Sequence, residues 1–166
     1  MTDTKSLGSG EVVAKADLPE LRRRHADKRI VLATGCFDIV HKGHVYFLRE
    51  AARRGDVLVV GVNSDKSVRA LKGHERPIVS EIDRCAVLAE FGCVDYVFTY
   101  DERDSASSIA LLLPNVFVVG AASVAEYPDE IQAAQDANAQ LLVMQRSPSR
   151  STTDIIVHIR TKAAPA

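Results

Sequence analysis

Two apolar runs with no wet face restrict this chain to a small set of architectures. Arg29-Ile30-Val31-Leu32-Ala33-Thr34 and Asp56-Val57-Leu58-Val59-Val60-Gly61-Val62 lack the alternation of a strand with one solvated side. Runs of that kind belong to parallel strands covered on both faces. Between them Val45, Leu48, Ala51 and Ala52 recur at helical spacing, and Gly55 closes that helix, so strand, helix and strand make a βαβ unit. The rhythm continues with strands at 95–98, 115–119 and 139–144 and helices at 104–113 and 129–138. The spacing predicts an α/β fold with a mostly parallel five-stranded sheet and helices on both faces. At 166 residues the chain is about one domain long and can bury a single core without staples.

Residues 1–28, with Gly8-Ser9-Gly10, read as a loose leader followed by a short helix near Leu18 to His25. Residues 29–161 form the domain, and 162–166 read as a frayed tail. The polar cluster Asn63-Ser64-Asp65 ends the second strand and opens a loop expected to carry ligand contacts; residues 72–77 form a polar connection. Ser80 with Asp83 is a capping box, and Ile82, Cys85, Ala86 and Ala89 mark the expected buried stripe of its helix. Net charge is −1, without the basic excess of a nucleic-acid protein, and Arg22-Arg23-Arg24 reads as a solvated helix face. No apolar run approaches the length of a membrane span. Cys36, Cys85 and Cys93 are odd in number, which fits free thiols in a reducing cytoplasm better than a disulfide framework. A soluble cytoplasmic protein with small-molecule partners is the expectation.

The stretch Gly35-Cys36-Phe37-Asp38-Ile39-Val40-His41-Lys42-Gly43-His44 lies where the first strand hands over to the first helix. A helix start offers free N–H groups and the positive end of the helix dipole, both suited to phosphate. Gly35 and Gly43 allow close approach of a ligand, and His41 and His44, three residues apart, can reach phosphoryl oxygens from one side. The hydroxyl-rich start of the last helix, Ser151-Thr152-Thr153 ahead of Ile155, Ile156 and Ile159, is a second anion site at the carboxyl edge of the sheet. Two histidines could also be a metal pair, but no third ligand stands at a convincing spacing. Neither a GxxxxGK[ST] loop nor a GxGxxG turn is present.

These motifs resemble the HxGH cytidylyltransferase-like family of nucleotidyltransferases, from about Arg29 to Arg160. Val60 to Arg69, Leu71-Lys72-Gly73 and Arg76-Pro77-Ile78 are similar to bacterial heptose 1-phosphate adenylyltransferases; glycerol-3-phosphate cytidylyltransferases are the other close group. The resemblance implies a Rossmann-like domain and transfer of a nucleotidyl group from a nucleoside triphosphate to a small phosphorylated acceptor. His41, His44, Lys42, Lys72 and Arg84 are then the catalytic cations and donors. Gly35, Cys36, Phe37, Asp38, Gly43, Gly120, Arg146, Ser151, Thr152 and Thr153 bind nucleotide, with the backbone near Phe37 on the α-phosphate. Asn63, Asp65, Arg76 and Arg150 face the acceptor. Mg²⁺ is expected mainly on phosphate oxygens, and a homodimer is implied.

Two departures bear on substrate. Where heptose enzymes carry Val-Lys-Gly-Gly-Asp-Tyr, this chain reads Val118-Val119-Gly120-Ala121-Ala122-Ser123, without the polar groups a hydroxylated sugar would use. Arg146 matches the arginine that precedes the Ser-Thr-Thr run of the glycerol-3-phosphate enzymes, and Arg150 adds a second cation. The reading therefore leans to CTP with a compact phosphate or phosphonate acceptor. ATP with heptose 1-phosphate is the alternative, and a catalytically silent nucleotide-binding module is a third.

Overall fold

The computed structural model describes residues 10–120, 128–144 and 151–163. In chain order the elements are β1 (Glu11–Val12), α1 (Leu18–Arg24), β2 (Ile30–Gly35), α2 (Lys42–Ala52), β3 (Val57–Asn63), α3 (Asp65–Lys72) and α4 (Glu81–Ala89). They continue with β4 (Tyr96–Tyr100), α5 (Ala106–Leu112), β5 (Val116–Gly120), α6 (Pro128–Asp136), β6 (Gln140–Met144) and α7 (Thr152–Ala163). All strand pairs are parallel, in the order β1-β4-β3-β2-β5-β6.

The strand alternation shows how the two-sided core arises. Along β2, Ile30 and Leu32 join one core cluster while Val31 and Ala33 join the other, because successive side chains of a strand point to opposite faces. Leu48 and Ala51 of α2 with Cys85 and Leu88 of α4 cover one face. Leu18 and Leu21 of α1, Ile109 and Leu112 of α5 and Ala134 of α6 cover the other. Leu48, with no exposed surface, contributes about 2 kcal/mol of transfer free energy in this setting, set against the entropy of fixing the chain.

The fold class is as the sequence predicts, with three local differences. The sheet has six strands rather than five: Glu11–Val12 adds a two-residue edge strand alongside Tyr96 and Val97, too short to show a period. The loop expected after Val62 is α3, started by Ser64, whose hydroxyl accepts from the Ser67 N–H at 3.2 Å. Its buried face holds only Ser67 and Val68, too thin a stripe to announce a helix. On α4 the cap at Ser80 is present, but Ile82 is 77% exposed and Ala86 faces solvent, while Arg84, Cys85, Leu88 and Ala89 are buried. The helix is turned to bring an arginine inward, for reasons found at the site.

Candidate active site

The direction of winding places the site. From β2 the chain runs outward through β3 to β4, then crosses to the other side for β5 and β6, so the carboxyl end of β2 is a topological switch point, where open α/β sheets bind ligands. The turn there is shaped by Phe37, held at φ 47° and buried to 3%. Its ring folds back over Gly35, where a Cβ would meet it at 3.1 Å. Gly35 therefore makes room for the ring, and the left-handed backbone at Phe37 carries a conformational cost that marks functional turns.

His41 is the N-cap of α2: its Nδ1 accepts from the Gly43 N–H at 3.0 Å. With that lone pair used, the neutral ring carries its proton on Nε2, which is left to donate. The His44 ring stacks on it, with centroids 4.0 Å apart and planes at 26°, and Phe37 leans on His44 at 5.3 Å. Burial, then the neighbouring His41 and the Lys72 ammonium, push the His44 imidazole down to about pKa 4, and burial also lowers His41. Near neutral pH the pair therefore works through hydrogen bonds, and the positive charge beside it comes from Lys72. Among the described residues, the buried His44 Nδ1 has no hydrogen-bond partner.

Behind this turn lies a lattice of buried and half-buried charges. Asp38 accepts from the N–H groups of Ile78 and Val79 at 2.8 and 2.9 Å and pairs with Arg76. Arg84, whose side chain has no exposed surface, donates Nε to the Val79 carbonyl (3.0 Å) and Nη1 to the carbonyls of Cys36 (2.6 Å) and Asn63 (2.8 Å). Its Nη2 pairs with Asp65 at 2.8 Å. Asp65 also accepts from the Glu81 N–H, and Asn63 is engaged by Ser67 Oγ and Cys36 Sγ. Most of the polar capacity expected to face ligand at Asp38, Asn63, Asp65 and Arg84 is thus spent within the protein. Arg84 is enclosed, its guanidinium held by four acceptors inside the protein. The buried Nη2 of Arg76 finds no partner among the described residues.

The last helix arrives at the same place. Thr152 Oγ1 donates to the Ile39 carbonyl at 3.3 Å, joining two segments far apart in sequence just ahead of His41. Ser151 caps α7 through Asp154, and Arg160 pairs with Glu75 at 2.9 Å, tying α7 to the 72–77 connection. Thr153 and Lys42 are exposed beside this junction, as is Lys72. Gly120 ends β5, and apart from its chain neighbours no described residue stands within 4 Å of where its Cβ would be. Arg146 and Arg150, and the altered stretch 121–123, lie outside the described residues. The Asp38–Arg76 pair and the carbonyls of Cys36, Asn63 and Val79 escaped sequence reasoning. A usable signal existed in Arg84 standing four residues before Leu88, one turn away on the same face.

A parallel doubly covered sheet with a helix-start histidine pair at its switch point defines a nucleotide-binding type of α/β protein. The model of the cytidylyltransferase-like family matches residues 32–161, and the chain belongs to that family. It is 41% identical over 152 residues to the bifunctional protein HldE of Campylobacter jejuni subsp. doylei, covering 92% of this chain and 32% of the relative. Against bifunctional protein HldE of Geotalea uraniireducens it is 42% identical over 157 residues, 95% of this chain and 31% of the relative. The chain thus spans about a third of the length of these curated relatives. Among solved structures, the lipopolysaccharide core biosynthesis protein of Thermoplasma volcanium superposes with a TM-score of 0.61 at 28% identity, over 74% of this chain and 99% of that one. Pantoate-beta-alanine ligase of Francisella tularensis, at TM-score 0.63 and 13% identity over 92% of this chain and 77% of that one, shares the fold.

Proposed function

We propose that this protein transfers the nucleoside monophosphate of a nucleoside triphosphate to the phosphate of a small acceptor, releasing pyrophosphate, with ATP and a heptose 1-phosphate type of sugar phosphate as the pair. The observation that carries the reading is the junction of Thr152 with Ile39, which brings the hydroxyl-rich start of α7 beside the histidine pair. The segments shared with heptose 1-phosphate adenylyltransferases, together with the HldE relatives, favour ATP over the CTP to which Arg146 leans.

An acceptor phosphate oxygen attacks the α-phosphorus; the new P–O bond forms as the bond to the bridging oxygen breaks, and pyrophosphate leaves with the electron pair. The acceptor is already ionised near neutral pH, so no general base and no enzyme nucleophile are required, and catalysis is positioning and charge neutralisation. In this reading His41 Nε2 and His44 donate to α- and β-phosphate oxygens, Lys72 and Lys42 neutralise charge, and Ser151, Thr152 and Thr153 hold the terminal phosphates. Arg76, through its unpaired Nη2, would serve the acceptor. Among the described residues no group of three His, Cys, Asp or Glu side chains could hold a metal, and the Asp38 carboxylate is already bonded. Mg²⁺ would be carried on the phosphate oxygens and supply charge neutralisation there. A homodimer in the cytoplasm completes the proposal; no described helix is long and apolar enough to cross a membrane.

The test is pyrophosphate release by the purified protein with each of four nucleoside triphosphates, Mg²⁺ and a panel of heptose 1-phosphate, glycerol 3-phosphate and small phosphonates. Turnover with ATP and heptose 1-phosphate alone supports the proposal. Turnover with CTP and a compact acid favours the second reading, which rests on Arg146, Arg150 and the stretch Gly120-Ala121-Ala122-Ser123. Nucleotide binding without turnover on any acceptor leaves a silent binding module.

A further inference from the structure

We infer that Arg84 is a positioning residue for the triphosphate: by holding the Cys36 carbonyl inward it turns the Phe37 N–H outward to the phosphate chain. The inference rests on the reading of the site given above. A trans peptide points its C=O and N–H in opposite directions, and among the described residues the only cis bond is Arg76-Pro77. The carbonyl of Cys36 is therefore the lever that aims the Phe37 N–H, and Arg84 Nη1 grips it at 2.6 Å. The grip is anchored on three other elements at once. Nη1 also holds the Asn63 carbonyl at the end of β3, Nε holds Val79 ahead of α4, and Nη2 pairs with Asp65 at the start of α3.

A planar guanidinium with its donors in fixed directions can serve four acceptors in four directions; an ammonium on a single point cannot. The turn it governs is the one held at a positive φ, 47° at Phe37, a conformation that persists only where its surroundings enforce it. Gly35 below and His44 beside the Phe37 ring restrain its side chain, and Arg84 restrains the peptide plane. Among the described residues no acceptor takes the Phe37 N–H, which leaves it for ligand. Asp38, one residue further on, is fixed by Ile78, Val79 and Arg76. The turn is thereby clamped on both sides of the peptide plane that carries the free N–H.

The experiment compares wild-type protein, Arg84→Lys, Arg84→Met and a control, Leu88→Ala, which opens a cavity on the same helix but removes no hydrogen bond to the turn. Each is titrated with the α,β-methylene analogues of ATP and CTP plus Mg²⁺ by calorimetry, followed by the backbone amide resonances, and assayed for turnover. We expect the Phe37 amide of the wild type to shift on binding. Arg84→Met should weaken binding at least tenfold, lower kcat/KM about a hundredfold or more and abolish that shift. Arg84→Lys, able to reach the Cys36 carbonyl from one point, should recover part of both. Leu88→Ala should lower Tm yet keep affinity and the Phe37 shift, which separates positioning from general destabilisation. If Arg84→Met does not fold, Arg84→Lys decides: wild-type affinity with an unaltered Phe37 response overturns the inference. So does a Phe37 amide in the wild type that stays still while nucleotide binds. Failure of both analogues to bind wild-type protein overturns the reading of the site itself.

Discussion

Charged groups are buried in two parts of this molecule, and the two parts treat them differently. Between α5 and α6, Glu130 is 6% exposed and a single carboxylate oxygen accepts from both the N–H and the hydroxyl of Ser105, at 2.8 and 2.7 Å. Burial raises its pKa against the opposing pull of those two hydrogen bonds, and the shared oxygen ties two helices together. Nearby in sequence, Ser108 Oγ, a neutral hydroxyl, is buried without a partner among the described residues. At the carboxyl ends of β2 and β3, by contrast, Asp38, Asp65, Arg76 and Arg84 form ion pairs, and His44 Nδ1 and Arg76 Nη2 find no partner among the described residues. The same device, a buried ionisable group with hydrogen bonds, cements the fold in one place. In the other it surrounds polar atoms that no described residue engages, at a switch point.

The sharpest way to break the contrast is His44→Ala. Loss of a donor aimed at the transition state should lower kcat/KM by about 10²–10³-fold, roughly 3–4 kcal/mol, with little change in Tm at pH 7.5; steady-state rates beside a thermal melt would show it. Unchanged turnover would put the histidine pair on the same footing as Glu130. Next in size is Arg76→Ala, which strands the Asp38 carboxylate, itself 1% exposed at the side chain. It should cost about 3 kcal/mol of stability in urea unfolding; a loss under 1 kcal/mol means the two backbone N–H groups alone hold Asp38.

The pH dependence of stability comes third. His44 titrates near 4 in the folded protein against 6.5 in the unfolded chain, so its neutral form is the one that folding favours. That contribution is complete above pH 6.5 and is lost as pH falls from 6.5 toward 4, about 2–3 kcal/mol after allowance for solvent screening. His44→Gln should flatten this part of the curve; an equal slope in both proteins would place the titration elsewhere. The smallest effect is expected at Glu130→Gln. Its amide oxygen can keep both bonds from Ser105 while removing the buried charge. Because the Glu130 pKa is raised from 4.5, the wild type is favoured below that value and loses stability as pH rises through the higher folded pKa. The variant should match or exceed wild-type stability at pH 8 by at most about 1 kcal/mol, with unchanged turnover. A loss of 2 kcal/mol would show the ionised acid to be an asset.

What could be read without coordinates was local. Strand runs such as Ile30 to Ala33 and Val57 to Val62, the Ser80 cap and the His41 to His44 spacing all depend on neighbours within a turn or a pleat. The order of elements and the position of the histidine pair at a strand-to-helix junction followed from them. The short pieces escaped: β1 is too brief to show a period, and α3 buries too few side chains to carry a stripe. The orientation of α4 escaped as well, because Ile82 outranks Arg84 on any hydrophobic scale until four oxygen acceptors are found waiting for the guanidinium.

The sequence by itself determined the α/β order, the two-sided core and the place of the histidine pair, because backbone periodicity and helix capping act over a few residues. The tertiary structure decided which charges are spent and which stay open. Arg84 meets Cys36 from 48 residues away and Thr152 meets Ile39 from 113; such partners are set by how helices settle on a twisted sheet, where the cost of leaving a buried donor unpaired selects one packing.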